Sequence, residues 1–437
     1  MSQSIIAAGQ GGSASITPLA SDRESNLLAE PPRTKYADVM RSFLLRFCVA
    51  VTIGVTCLAA VELFSYLISL HNQPNSMEPD VRAKAIQGSA REHEYWKEHA
   101  AANKVQYRAY VLWRGAPFHG SAISIDEEGL RRTVHTRCDG DNFTIWMFGD
   151  STMWGTGAPD EETIPSLLAG NYERAGKPSC IVNYAEKGWT STQELIALIE
   201  ELKHNERKPQ VVLFYDGGSE AFAAWQNRRI DVHNNYLGFK KYLEGWEEEQ
   251  RAGFGYLRRT NTFRHLRALA EDLTGKHQSP QLSEAEVKMM AAAIMQNYLQ
   301  NMDLIHLLAT RYGFRPVFVW YPNLLVGDKQ LTSAESALRK RVDKVYPGMD
   351  AIYRAAYEQC RDTSRLDLYY WADIFDATRT ELYKDMAHVN AAGNQIVADR
   401  LFAVVEHSPR SGAAPNPPSP SYSRPSAHLS TQTKTPL

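Results

Sequence analysis

The sequence predicts an α/β fold, with a mostly parallel five-stranded sheet and helices on both of its faces. From residue 141 onward, short apolar runs that favour strands alternate with stretches of helical periodicity. The first of these runs ends abruptly in the turn Gly149-Asp150-Ser151. That turn places a serine hydroxyl at the carboxyl end of a strand, where open α/β sheets bind their ligands.

Five runs are typical of strands, and helices are expected between them. The strand candidates are 143–148, 180–184, 211–215, 316–320 and 366–370. The helix candidates are 191–205, 283–312, 333–360 and 390–406. The second helix opens with Ser283 and Glu286, which is a capping-box pattern. Residues 219–282 interrupt the alternation and are rich in Trp, Tyr, Arg and Glu, so we expect a helical insertion there.

The bulk composition is that of a globular protein with a sizeable core. Hydrophobic residues make up 43% of the 437 residues and charged residues 22%. The formal net charge of −2 and the absence of a basic block exclude nucleic acid as a partner. None of the five cysteines has metal-ligand spacing, so no metal and no cofactor is predicted. Cys138 and Cys180 flank the first two predicted strands, where a bridge and two free thiols are both compatible with the sequence.

An apolar run near the N-terminus predicts a membrane anchor. Residues 47–70 contain Glu62 as their only charge, and a helix of this length spans roughly 36 Å. Four basic residues precede the run at positions 33–46, whereas two follow within twenty residues. This bias predicts a cytoplasmic N-terminus and an extracytoplasmic remainder on the cytoplasmic (inner) membrane. The run is too long for a cleaved signal peptide. A buried helix of a soluble protein is the alternative.

These features together predict the organisation of the whole chain. We expect a disordered cytoplasmic tail (1–40), a transmembrane helix (41–70), a stalk leading into the domain (71–140), an α/β domain (141–408) that contains the insertion, and a disordered Pro/Ser-rich tail (409–437).

Three side chains in the predicted domain have the chemistry of an acyl-transfer site. A serine hydroxyl is a poor nucleophile until a base removes its proton, and that base is commonly a histidine oriented by a carboxylate. Asp385 and His388 lie three residues apart before the last predicted helix. We expect Asp385 to hold the imidazole and His388 to reach Ser151.

These motifs, in this order, resemble the GDSL/SGNH hydrolase superfamily over roughly residues 120–407. The matching blocks are Phe148-Gly149-Asp150-Ser151-Thr152, Asn183 to Gly188, Gly217 to Glu220, and Asp385 to His388. The resemblance implies a flavodoxin-like three-layer α/β/α fold. It also implies an oxyanion hole formed by the backbone N–H groups of Ser151 and Gly188 and by the side chain at position 219.

The third block departs from the family at Ser219, because the family places an oxyanion-binding Asn there. Loss of one such donor typically costs about 10²–10³ in rate. Ser219 is also a rival nucleophile, since Gly217 to Ala221 half resembles the G-x-S-x-G turn. Ser151 has the better-matched flanking residues.

The resemblance implies a membrane-anchored serine esterase that cleaves O-acyl esters, acetyl esters in particular, of a glycan or lipid outside the cytoplasmic membrane. Two alternatives stay open. One is an O-acyltransferase that uses the same three side chains. The other is a catalytically silent protein of the same fold that binds glycan or scaffolds a membrane assembly.

Overall fold

A computed structural model describes residues 33–71, 90–251, 260–263, 265–266, 282–363, 365 and 367–407 of the chain. The chain divides into an N-terminal unit that ends at Ser69 and a compact body from Leu70 onward. The expectations for 1–32, for the first part of the stalk and for the C-terminal tail fall outside the described residues.

The N-terminal unit contains one long helix, α1 (Arg33–His71). Its stretch Tyr36–Ile68 has a mean hydropathy of 2.2, and by length and composition it is able to cross a membrane. The helix begins at Arg33, inside the segment 1–40 that the sequence assigned to a disordered tail.

The body contains nine strands and ten helices in its described residues. The strands are β1 (Val105–Arg108), β2 (Leu112–Gly115), β3 (Phe118–His119), β4 (Ser124–Ile125), β5 (Phe143–Gly149), β6 (Ser179–Asn183), β7 (Val211–Asp216), β8 (Arg315–Trp320) and β9 (Leu368–Tyr370). The helices are α2 (Ala90–Ala102), α3 (Ser151–Trp154), α4 (Ile164–Arg174), α5 (Ser191–His204), α6 (Gly218–Asn227), α7 (Tyr236–Arg251), α8 (Glu284–Tyr312), α9 (Ser333–Val345), α10 (Met349–Arg361) and α11 (Ala391–His407).

A five-stranded parallel sheet organises the body, in the order β6-β5-β7-β8-β9. Numbered along the sheet's own strands this order is 2-1-3-4-5, the flavodoxin-like arrangement. The predicted fold class is therefore confirmed. All five predicted strands are present, with bounds that shift by one or two residues.

Successive side chains of the sheet enter two different cores, as the period-2 geometry of a strand requires. In β5, Trp146 and Phe148 join the core that also contains residues of α5, α8 and α10. Ile145 and Met147 join the opposite core, with residues of α2, α4 and α11. Both faces of the sheet are thus covered, and the layers are α/β/α.

The predicted single helix 333–360 is wrong, because the structure has two helices there. α9 ends at Val345 and α10 begins at Met349. Pro347 lies between them, and Gly348 caps α10 in a left-handed conformation with φ of 77°. Proline removes a backbone donor, and glycine adopts this φ without strain, so together they end one helix and begin another.

Residues 90–140 form an integral layer of the body rather than a stalk. Tyr95 of α2 and Ile123 and Ile125 beside β4 are fully buried in the core. The Glu98 carboxylate accepts hydrogen bonds from the backbone N–H groups of residues 121–123 at 2.6–3.0 Å. Helix α2 therefore holds the β3–β4 hairpin against the domain.

The insertion 219–282 is helical where it is described. It contains most of α6, which starts immediately after β7, and all of α7. Residues 252–259 and 267–281 lie outside the described part.

One disulfide ties the strands of the sheet to the layer before it. Cys138 bonds to Cys180 of β6, with an S–S distance of 2.11 Å. The sequence left this pairing open. Cys48, Cys57 and Cys360 are free.

Candidate active site

The turn after β5 presents Ser151 at the first position of α3. Gly149 has a φ of 151°, and a Cβ there would lie 2.8 Å from the Tyr215 carbonyl oxygen. Asp150 caps α3, since its carboxylate accepts from the Thr152 N–H at 2.8 Å. The Ser151 N–H, as the first of the helix, has no intrahelical acceptor and is available to an anion.

The structure brings the three predicted side chains into one hydrogen-bonded chain. His388 Nε2 lies 2.8 Å from Ser151 Oγ, and His388 Nδ1 lies 2.6 Å from Asp385 Oδ2. Asp385 Oδ1 accepts from the backbone N–H groups of Ala387 and His388 at 2.9 and 2.7 Å. These bonds orient the carboxylate, which orients the imidazole towards the serine hydroxyl. Such a chain can deprotonate a serine and later return the proton.

The pair of Asp385 and His388 stabilises its charged form. Burial disfavours a charged imidazole, but the Asp385 carboxylate outweighs burial and raises the pKa of His388 above its usual 6.5. Burial likewise disfavours the carboxylate, but protonated His388 and the backbone N–H groups lower the pKa of Asp385. An imidazole with a raised pKa accepts the serine proton more readily than a free histidine does.

Ser151 and His388 open into a cavity of about 410 Å³. This lies at the lower end of the usual range for small-molecule sites. Its lining is largely apolar and aromatic on one side, with Phe222, Leu338, Val342, Tyr346, Tyr353 and Met386. Its other lining residues include Trp96, His99, Thr156, Gly188, Asn234 and Lys384.

Helix α2 contributes Trp96 and His99 to this lining. The two rings are in edge contact, with centroids 5.1 Å apart. His99 is buried, and its Nδ1 has no hydrogen-bond partner among the described residues. Burial, helped by the nearby charges of Lys187 and protonated His388, lowers the pKa of His99 to about 4. His99 is therefore a neutral polar group in the cavity wall at pH 7.

Ser219 lies behind the nucleophile and is bonded to Asp150. Its Oγ donates to Asp150 Oδ2 at 2.8 Å, and the Tyr321 hydroxyl donates to the same oxygen at 2.7 Å. A serine hydroxyl has one hydrogen, and here it is used on a carboxylate. Ser219 lines the cavity, but its proton is committed to Asp150 and no histidine contacts it in the described structure.

Gly188 is held from both sides, so its N–H group has a fixed direction. The Lys187 carbonyl accepts from the Trp113 indole N–H at 2.9 Å. The Gly188 carbonyl accepts from the Asn234 side-chain amide at 2.7 Å. Because the carbonyl and N–H of one planar peptide point in opposite directions, the Trp113 bond turns the Gly188 N–H away from Trp113. With Gly188 in the cavity lining and a φ of 73°, this geometry suits a backbone anion donor.

Buried carboxyl groups next to the site have structural partners. Glu220 accepts from the N–H groups of Ser191 and Gly217 at 2.7 and 3.1 Å, which agrees with its interpretation as a cap. Asp216 accepts from the Tyr298 hydroxyl at 2.8 Å. Burial raises the pKa of Asp216 and of its neighbour Glu194 well above the usual range.

Sequence reasoning missed several side chains that build this site. They are Trp96, His99, Trp113, Asn234 and Tyr321. Tyr321 directly follows β8, so the rule that ligands bind beyond the carboxyl ends of strands pointed to it. The other four lie in the segments before β5 and in the insertion, and no local motif marks them.

Comparison with known proteins gives a likeness at the level of the fold. No family model matches the chain, and no curated protein matches it. Among solved structures, the chain is similar to a lipolytic protein of the G-D-S-L family from Veillonella parvula, with 10% identity and a TM-score of 0.33 over 61% of this chain and all of the other. It is also similar to a lipase from a goat rumen metagenome, with 14% identity and a TM-score of 0.32 over 60% of this chain and 97% of the other.

A third similar structure is an acetyl xylan esterase, with 12% identity and a TM-score of 0.30 over 60% of this chain and all of the other. Identities this low concern the fold and carry no statement about substrate. In the arrangement of its sheet and the place of its serine turn, the chain has a fold of the GDSL/SGNH hydrolase type.

Proposed function

We propose that the protein is a membrane-anchored serine esterase that cleaves O-acyl esters, acetyl esters in particular, of a glycan or lipid outside the cytoplasmic membrane. The observation that supports this most strongly is the continuous hydrogen-bonded chain from Ser151 through His388 to Asp385. A chain of this kind activates a serine for attack on an acyl carbon.

The reaction has two halves that use the same imidazole. In the first, Ser151 Oγ attacks the ester carbonyl carbon while His388 Nε2 takes the hydroxyl proton. Collapse of the tetrahedral intermediate breaks the bond to the alcohol oxygen, which receives that proton from His388. In the second, His388 deprotonates a water molecule that attacks the acyl-enzyme. The acid leaves, and the proton returns to Ser151.

The negative charge on the carbonyl oxygen falls where backbone donors converge. The N–H groups of Ser151 and Gly188 are the two that the geometry offers. Donors fixed in place before the reaction stabilise developing charge without a reorganisation cost. Asp385 stays ionised throughout and stabilises the imidazolium form of His388.

The character of the cavity supports an ester of moderate size. Its 410 Å³ has room for a small acyl group together with one ring or a short chain. Trp96, Tyr346 and Tyr353 offer aromatic faces or edges to such a group. These features suit both a sugar ring and an aliphatic chain, which is why the proposal names a glycan or lipid.

Two observations support the proposed location. The apolar helix α1 is able to anchor the chain in a membrane. The disulfide between Cys138 and Cys180 is of the kind that persists in oxidising compartments such as the periplasm. Together with the basic residues before the helix, they support an anchored domain outside the cytoplasm.

Hydrolysis of a chromogenic acetate ester by the full chain in detergent tests this proposal. We expect turnover by the parent protein and its loss, by about 10³-fold or more, in Ser151→Ala and His388→Ala. Ser219→Ala should keep far more activity than Ser151→Ala, because Ser219 has no histidine base. Unchanged turnover in Ser151→Ala would exclude the proposed mechanism. Acyl transfer to an added sugar in preference to water would identify a transferase instead.

A further inference from the structure

We infer that Asn234 supplies the third hydrogen bond to the reacting carbonyl oxygen, in place of the family asparagine that Ser219 replaces. This inference rests on the proposed function, since it concerns the same acyl-transfer step. It assigns an oxyanion role to a residue of the insertion, far in sequence from all four blocks that carry the resemblance.

Position is the first support for this assignment. Asn234 lines the 410 Å³ cavity together with Ser151, Gly188 and Ser219. A Cβ built on Gly188 would lie 3.6 Å from Asn234 Nδ2, so the amide faces the open side of that glycine. Asn234 thus lies beside one of the two proposed backbone donors.

The orientation of the amide follows from its bond to Gly188. Nδ2 donates to the Gly188 carbonyl at 2.7 Å, and a carbonyl accepts only from a donor, so nitrogen and not oxygen must face it. An amide nitrogen carries two hydrogens. The Gly188 carbonyl uses one and leaves the second for a ligand in the cavity.

The surroundings of Asn234 also distinguish it from an ordinary packed asparagine. Its Oδ1 is buried and has no hydrogen-bond partner in the described part of the chain. A buried oxygen without a partner costs about 1–3 kcal/mol, and such groups in folded proteins tend to mark functional sites.

The backbone that carries the side chain is held on both sides. Asn235 has a φ of 59°, and its N–H donates to Gln226 Oε1 at 2.5 Å. The Asn234 carbonyl lies 2.8 Å from His233 Nδ1. A donor at an oxyanion site must be fixed before the reaction, and these contacts fix it.

Ser219 cannot fill this role in the observed arrangement. Its single hydroxyl hydrogen is donated to Asp150 Oδ2. Asp150 also accepts from Tyr321, so the carboxylate is held against Ser219 by a second donor. The position that the family uses for its asparagine therefore contributes to the support of the serine turn in this chain.

The decisive experiment compares Asn234→Ala and Asn234→Asp in the full chain with the parent on a pair of esters. One is a chromogenic acetate ester and the other is its thionoester, in which sulfur replaces the carbonyl oxygen. Sulfur accepts hydrogen bonds poorly, so a lost donor penalises the oxygen ester far more than the thionoester. We expect kcat on the oxygen ester to fall by about 10²–10³ with KM nearly unchanged, and the preference for oxygen over sulfur to fall at least about tenfold.

Asn235→Gly is the matched control. Asn235 is the exposed neighbour, its side chain does not line the cavity, and glycine adopts its φ readily. We expect activity within about twofold of the parent. An equal loss on both esters in Asn234→Ala would show that Asn234 only holds the Gly188 loop, and would overturn the inference.

Labelling of the serine by a fluorophosphonate separates the two proposals. Parent protein that labels at Ser151, with Asn234→Ala labelling at the same rate, would overturn the role of Asn234 and leave the esterase proposal intact. Absence of any Ser151-dependent labelling in the parent would remove both. Labelling that slows at least about tenfold in Asn234→Ala is the expected result.

Discussion

Asp150 has more partners than any other side chain at the serine turn. Its carboxylate accepts from the Thr152 N–H and hydroxyl at 2.8 and 2.7 Å, and from Ser219 and Tyr321 at 2.8 and 2.7 Å. The buried charge is thereby satisfied, and the loop after β5 is tied to the loops after β7 and β8. The nucleophile owes its fixed position to a neighbour that performs no chemistry itself.

The Asp385–His388 pair predicts the pH dependence of the esterase. His388 must be neutral to accept the serine proton, so kcat/KM should rise as pH rises through the pKa of His388, which lies above 6.5. Asp385→Asn removes the carboxylate that raises this pKa. The midpoint should therefore move to lower pH, while the plateau falls by about 10⁴ because the imidazole loses its orientation. A pH–rate profile measures both, and a midpoint that stays in place would contradict the assigned pair.

At the scale of elements, the layer before the sheet contributes as much to the site as the sheet itself. Arg131 is fully buried, and its guanidinium donates to Asp160 at 2.9 Å and to the Gly155 carbonyl at 2.5 Å. Residues 155–160 follow the nucleophile helix, so Arg131 connects the β3–β4 layer to the back of the serine turn. Tyr95 of α2 holds the same segment by accepting from the Gly157 N–H at 2.7 Å.

Arg131→Met should destabilise the protein strongly. It leaves the buried Asp160 carboxylate without its partner, which typically costs about 3–5 kcal/mol. Arg108→Ala is the control, because Arg108 pairs with Glu128 on the surface, where such pairs contribute about 0–1 kcal/mol. Urea unfolding followed by circular dichroism measures both variants. Equal stability of the two variants would contradict the connecting role of Arg131.

Trp113 of β2 should affect catalysis through Gly188. Trp113→Phe keeps an aromatic ring but removes the N–H that holds the Lys187 carbonyl, so the Gly188 N–H loses its fixed direction. We expect kcat to fall by about tenfold or more with the fold intact, because a donor that must reorganise stabilises the oxyanion less. Trp225→Phe is the control, since that indole donates to the Pro347 carbonyl outside the cavity. Steady-state kinetics of the two variants would separate them, and equal rates would contradict the expectation.

The parts of the structure that the sequence predicted are those with a local cause. Strands with a buried period, capped helices and the serine turn all depend on neighbouring residues, and their positions were correct within about two residues. The broken helix 333–360 also had a local cause in Pro347 and Gly348, which the periodicity masked. Asn234 and His99 reach the cavity only through tertiary packing, so no spacing between residues announced them.

At the scale of the whole molecule, the cysteines report on the compartment in which the chain folds. Protein isolated without reductant and unfolded should present three reactive thiols out of five cysteines, those of Cys48, Cys57 and Cys360. Mass spectrometry of the alkylated peptides would find Cys138 and Cys180 unmodified and linked. Five reactive thiols in protein taken directly from cells would contradict an extracytoplasmic domain.

The membrane anchor makes a separate prediction about topology. A protease added to intact spheroplasts should digest the body of the protein, because it lies outside the cytoplasmic membrane in our proposal, and should spare a tag at the N-terminus. Alkaline carbonate should leave the full chain in the membrane fraction. Digestion only after the membrane is opened would contradict the proposed orientation.

The most direct test of the proposed ester-cleaving site is to map the covalent adduct of a fluorophosphonate by peptide mass spectrometry, in the parent and in His388→Ala. We expect one adduct on Ser151 in the parent. We expect little or none in the variant, because the serine then lacks the base that activates it. An adduct on another residue, or labelling that does not depend on His388, would contradict the assignment of Ser151 as the activated nucleophile.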